Sequence, residues 1–79
     1  MFMVVARVDR SLAATLRRLR AERGIAQEEL AHMAGISTGS LSRIERELAS
    51  PAWTTVGRIA AALDMSVKEL AEAVERDTA

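Results

Sequence analysis

The 79-residue chain contains no cysteine, so neither a disulfide nor a thiolate metal site can help to stabilise it. Aromatic side chains are nearly missing too, with only Phe2 and Trp53 present. Proline occurs once, at Pro51, and glycine four times, which leaves long stretches free for helix. The longest purely apolar run is Met1 to Ala6, broken by Arg7. That run is far too short to span a bilayer, and it lacks the basic start and cleavage site of a signal peptide. A soluble, intracellular protein with no membrane partner is therefore expected, acting in the cytoplasm.

A chain of this length makes one domain, near the lower end of what folds unaided. Without staples its core must come from packed helices, and a composition 49% apolar, rich in Ala and Leu, suits that. Net charge is also absent, since 11 basic side chains balance 11 acidic ones. The distribution is uneven. Residues 1–23 carry Arg7, Arg10, Arg17, Arg18, Arg20 and Arg23 against Asp9 and Glu22, a balance of +4. Residues 24–47 and 48–79 each come to −2. Such polarity matters more than the sum when one face meets phosphate, although Arg-rich helices are also common as solvated faces.

Glycine, proline and capping residues divide the chain into about five helices. Asp9 or Ser11 is placed to cap the first, whose Leu12, Leu16 and Leu19 recur at helical spacing before Gly24. The second runs from Gln27 to Ala34, with Leu30, Ala31 and Ala34 on one face, and stops at Gly35. Ser37 caps a third that carries Leu41 and Ile44 inward. After Pro51 a fourth follows through Val56, Ile59, Ala60 and Leu63. Ser66 and Glu69 form a capping box for the fifth, with Met65 and Leu70 as a hydrophobic staple. Its apolar face continues through Ala71 and Val74. Residues 1–10 are expected to form an arm, 11–75 the domain and 76–79 a tail.

The informative stretch is QEELAHMAGISTGSLSRIER, residues 27–46. Two short helices crossing at a wide angle need a small residue at the crossing, and Ala31 is small. The turn between them needs a residue that tolerates positive φ, which Gly35 supplies. Leu30, Ala34, Ile36, Leu41 and Ile44 then close the wedge. Any one of these fits an ordinary helical hairpin. All seven together point to a helix-turn-helix.

Over about residues 11–75 the chain resembles the Cro/C1-type (XRE-like) helix-turn-helix family of phage repressors and related bacterial regulators. LRRLRAERG, QEELAHMAGIS, SRIER and VGRIAAALDMSVKEL carry that resemblance. It implies an all-α, five-helix, lambda-repressor-like domain that regulates transcription as a homodimer on a two-fold symmetric operator in double-stranded DNA. The third helix then lies in the major groove, its first turn and outer face toward base edges. The positions concerned are Thr38, Gly39, Ser40, Ser42 and Arg43. Arg43 suits guanine O6 and N7 together, unless it pairs with Glu47 one turn on. Gly39 either lets the helix approach closely or leaves neighbouring bases weakly read.

The resemblance assigns Gln27, at the head of the second helix, to a backbone phosphate. Ser37, Arg46, Ser50 and Thr54 are further phosphate candidates, the last two because the loop 47–53 is expected to follow the backbone. Arg20 and Glu45 match an internal ion pair of the family. Three positions depart from its pattern. Ala26 and Ala52 stand where Ser or Thr caps are common, and Glu47 replaces a frequent Gly. If that loop required a left-handed residue, Glu47 would be strained, so another path is expected.

His32, the sole histidine, lacks the partners for a metal site or catalysis. No nucleophile–base pair, phosphate loop or metal cluster is seen, so neither enzyme activity nor a cofactor is expected. One recognition helix rarely gives useful specificity alone, which argues for pairing. Trp53 suits the core, a dimer contact or a wall against DNA. Leu63, Met65, Val67, Leu70 and Val74 look more apolar than the core needs, so a two-fold interface is expected around Trp53, Leu63, Met65 and Val67. The apolar start, MFMVVARV, suits a disordered arm, an extra strand or a dimer contact. Stand-alone phage-repressor-like regulators and restriction-modification controller proteins both fit. An antitoxin that masks a protein partner and binds DNA for autoregulation is the alternative.

Overall fold

The computed structural model describes the backbone of residues 2–78 and the side chains of residues 10–78. Five α-helices follow one another: α1 (Phe2–Glu22), α2 (Gln27–Ala34), α3 (Thr38–Glu45), α4 (Trp53–Ala62) and α5 (Val67–Thr78). Among the described residues there is no strand. α1 packs on α5 and α3, α2 crosses α3 and lies on α4, and α4 closes against α5.

The expected bounds hold for α2, and the expected starts for α3 and α5, each set by a local signal, while α5 runs on to Thr78 and takes in residues 76–78 of the expected tail. Ser37 caps α3 by accepting the Ser40 N–H at 3.0 Å. The Ser66–Glu69 box is closed in both directions, at 2.8 and 3.0 Å. Ala26 and Ala52 leave α2 and α4 without a side-chain cap. The start of α1 differs from expectation. Neither Asp9 nor Ser11 begins it, because the helix already runs from Phe2. Nothing in residues 2–10 breaks a helix, and one nucleated further along extends through β-branched residues at small cost per residue. The backbone of the expected arm is thus the first two turns of α1, while the question of what its side chains cover lies outside the described residues.

Four helices end in the same way. Gly24, Gly35, Glu47 and Asp64 have φ of 64°, 71°, 65° and 58°. Each is followed by an apolar residue whose N–H returns to a carbonyl five residues back: Ile25 to Arg20, Ile36 to Ala31, Leu48 to Arg43 and Met65 to Ala60. This is the Schellman arrangement, which satisfies carbonyls that a helix end would leave open. Glu47 therefore does take the left-handed conformation, contrary to the path expected from its identity.

The core joins Leu12, Leu16 and Leu19 of α1 to Leu30, Ala31, Leu41, Ile44, Ile59, Ala60, Leu63, Leu70 and Val74. Ile36, Val56, Met65 and Val67 pack against its edge. Two assignments need correction. Leu63 is 1% exposed and belongs to the protomer's own core, so it is not available as an interface residue. On α5 the inward alanine is Ala73 rather than Ala71, which faces solvent. The apolar surplus inferred for the C-terminal half is largely absorbed, since Leu70 and Val74 are buried as well.

Candidate nucleic-acid interface

The outward face of α3 follows from the residues it buries. Leu41, Ile44 and Glu45 are interior. At 100° per residue their arc leaves Gly39 and Arg43 near the opposite pole, with Ser42 beside them. Thr38, Gly39, Ser40 and Arg43 are exposed and Ser42 is half-buried, so all five expected base-reading positions lie on one short helix. The Ser37 and Ser40 hydroxyls share a hydrogen bond at 2.9 Å at the head of α3. Arg43 forms no ion pair with Glu47 among the described residues. The reason is geometric: α3 ends at Glu45, and the left-handed turn at Glu47 takes that carboxylate off the helical i+4 position.

Gly39 has room around it. A Cβ there would meet nothing nearer than the Ser37 Oγ, at 4.0 Å, and its φ is not in the left-handed region. Neither packing nor backbone conformation within the protomer demands glycine at this place. Ser40 and Arg43 also line a groove with Ile36, Ile44, Ala49, Pro51 and Thr55. Thr55 was not singled out in the sequence because the 3.6-residue period puts it near the buried side of α4. The loop 46–52 brings it within reach of the α3 face.

The phosphate candidates flank this face. Arg46 is exposed one residue past α3, while Ser50 and Thr54 are exposed in the loop and the first turn of α4. Gln27 is half-buried and already engaged: its Nε2 donates to Glu45 Oε1 at 3.1 Å. Glu28 and Glu29, exposed in the first turn of α2, suit the helix dipole but work against an approaching phosphate.

In the N-terminal third, Arg17, Arg18 and Arg20 are engaged by the protein's own groups. Arg20 grips the Glu45 carboxylate with Nε and Nη2, both at 3.0 Å, and gives Nη1 to the Ile25 carbonyl. The expected internal ion pair is therefore present, with Glu45 2% exposed. Arg17 donates to the main-chain carbonyl of Glu45. Arg18 bridges Glu22 at 2.9 Å and Asp77 at 3.1 Å, and these partners hold its guanidinium above its usual pKa. Asp77 also accepts a hydrogen bond from the buried Thr15 hydroxyl, which is the main reason its carboxyl lies below the ordinary range.

His32 is exposed in a groove with Glu28, Glu29, Ile36, Ser37 and Thr38. Among the described residues no three His, Asp or Glu side chains converge as metal ligands. Among the described residues no helix is long and apolar enough to cross a membrane. Trp53 is 73% exposed, which removes the core from its possible roles. Met65 and Val67 are half-buried at the α4–α5 corner.

The sequence profile of the helix-turn-helix family matches residues 16–70. No curated protein sequence matches the chain. Among solved structures it is similar to the clp gene regulator ClgR from Corynebacterium glutamicum, at 29% identity and a TM-score of 0.82, covering 91% of this chain and 94% of that one. The restriction-modification controller protein C.AhdI from Aeromonas hydrophila is also 29% identical, with a TM-score of 0.75 over 78% of this chain and 94% of that one. The controller C.Esp1396I, seen as a tetramer with its 35 base-pair operator, shares the fold at 21% identity, with a TM-score of 0.84 over 90% and 93% of the two chains.

Proposed function

We propose, for a chain that belongs to the helix-turn-helix family of DNA-binding transcription regulators and is not an enzyme, that it binds a two-fold symmetric operator as a homodimer with α3 in the major groove. One observation carries the reading. The face of α3 opposite the core presents Gly39 and Arg43 at its centre, and neither is engaged by the protomer's own packing or ion pairs. In this arrangement Arg43 reads guanine, Thr38, Ser40 and Ser42 supply hydroxyl contacts, and Gly39 sets how closely the helix axis approaches the bases. Arg46, Ser37, Ser50, Thr54 and Gln27 take backbone phosphates and hold the register.

Self-association completes the site, since one α3 spans only a half-site and two supply half-sites about one helical turn apart. Trp53, Met65 and Val67 form the two-fold contact, with Leu63 behind them in the core. The similarity to ClgR and C.AhdI, both regulators by name, supports a regulatory role, and the site of action in this reading is nucleoid DNA in the cytoplasm.

Incubation with a random double-stranded pool at moderate salt, followed by sequencing of the retained DNA, tests this directly. An inverted repeat with half-sites one helical turn apart is the expected result. Weak, salt-sensitive retention with no enriched sequence would sink it and favour the partner-masking alternative.

A further inference from the structure

The Glu45 side chain carries a charge and is only 2% exposed, and it accepts three hydrogen bonds. Its Oε2 accepts Arg20 Nε, while its Oε1 accepts both Arg20 Nη2 and Gln27 Nε2. The same network reaches both ends of the turn before α2, because Arg20 Nη1 is bonded to the Ile25 carbonyl, two residues ahead of Gln27. Arg17 adds a bond to the main-chain carbonyl of Glu45 at the end of α3. A buried carboxylate with three side-chain donors is well compensated, and its position is correspondingly sharp.

A primary amide has two N–H donors on its nitrogen. One Gln27 N–H is taken by Glu45, and the sp² geometry then fixes the direction of the second and of the amide oxygen. A free glutamine on a helix surface samples many rotamers and loses that freedom when it binds. Here the loss is incurred during folding.

We propose that Glu45 is a positioning residue for DNA: by holding one N–H of Gln27 it aims the other at a backbone phosphate and ties that contact to the end of the recognition helix. The inference rests on the proposed DNA-binding function. It assigns Glu45 a role in recognition that its pairing with Arg20 does not by itself require. Phosphate contact and base reading then share one register, since the same carboxylate anchors α3 and orients Gln27.

The sequence makes the test unusually clean, because it contains no asparagine and Gln27 is its only glutamine. A ¹⁵N-labelled sample therefore shows a single side-chain NH₂ pair. In the free wild-type protein the two hydrogens should differ in exchange rate, one protected by Glu45, and that NH₂ should be as rigid as the backbone. Addition of the selected DNA should shift mainly the unprotected hydrogen. A freely rotating NH₂ with equal exchange at both hydrogens would overturn the proposal, and this reading needs no variant to fold.

A thermodynamic cycle supplies the second arm. Gln27→Ala should weaken DNA binding about tenfold in the wild-type background and by less than about twofold in a Glu45→Met background. Equal factors in both backgrounds would show that Glu45 acts only through stability, and the inference would fall while DNA binding stood. No DNA retained by the wild-type protein would remove the DNA reading and this inference together.

Discussion

Glu47 occupies behind α3 the left-handed position that Gly35 occupies behind α2, at φ 65° against 71°. Both close a Schellman turn, and both are followed by an apolar residue. Only one of them is suited to it. A left-handed conformation costs a residue with a Cβ roughly 1–2 kcal/mol, partly offset because glycine has more freedom to lose on folding. Glu47→Gly should therefore raise stability by about 1 kcal/mol, read as a higher urea midpoint at unchanged slope. A lowered midpoint would mean that the Glu47 side chain contributes something its geometry does not reveal. Asp64→Gly should gain less, since aspartate tolerates this region better.

That pair also marks where the sequence was legible. Gly35, Ser37 and the Ser66–Glu69 box act over a few residues, so the ends of α2, the start of α3 and the start of α5 could be read directly. Glu47 carries no such sign, because its φ is imposed by the need to turn between α3 and α4. Asp9 and Ser11 failed in the opposite sense: they are good caps that the surrounding helix overrides. The outward face of α3 was legible because the inward period leaves only one such face. The bond from Gln27 to Glu45 was not, since it depends on how α2 crosses α3. Leu63 was misassigned for a related reason: periodicity marks an apolar face but not the element that covers it.

Thr15 and Asp77 fasten the end of α5 to α1, and Arg18 reinforces them. A carboxylate near a helix C-terminus is unfavourable towards the dipole, so these partners determine whether the last turn holds. The Asp77 pKa is depressed in the folded state, first by the Thr15 hydrogen bond and then by Arg18. Its contribution is therefore present above the unfolded value, about 3.9, and is lost as pH falls through the folded one. Glu69 behaves in the same sense through its bonds to Ser66. Asp77→Asn should melt below the wild type at neutral pH and approach it at the acid end. Thr15→Val, which keeps the shape and removes the donor, should cost about 1 kcal/mol at neutral pH. Parallel melting curves at every pH would exclude this linkage.

Gly39 separates function from stability. An alanine fits its place in α3 without close contacts and favours helix over glycine, by roughly 0.8–1 kcal/mol in a helix interior and by less in this first turn. Gly39→Ala should thus raise the melting temperature while weakening binding to the selected DNA. A more stable protein that bound as tightly as before would show that no close approach occurs at Gly39, leaving neighbouring bases weakly read.

Arg43 and Arg46, three residues apart, should respond differently to truncation. Arg43→Ala removes base reading and should weaken the specific site by about 1–3 kcal/mol, with little change on random DNA. Arg46→Ala removes a phosphate contact and should weaken both alike, lowering the salt slope by about one ion. Equal losses of the Arg43 variant on both DNAs would demote it to a backbone contact.

Trp53 is the only tryptophan and is 73% exposed, so its emission reports on any surface that covers it. In a two-fold contact two such rings, each exposing on the order of 150 Å², contribute roughly 7 kcal/mol before the cost of association. Emission should shift to the blue as protein concentration rises, in step with dimer formation by sedimentation. Trp53→Ala should leave the protomer's stability within about 0.5 kcal/mol, since little of the ring packs on its own core, yet abolish the dimer. Loss of cooperative operator binding should accompany loss of the dimer. A wild-type protein that stayed monomeric at tens of micromolar, with concentration-independent emission, would remove Trp53 from the interface and leave the DNA backbone as the surface for its ring to meet.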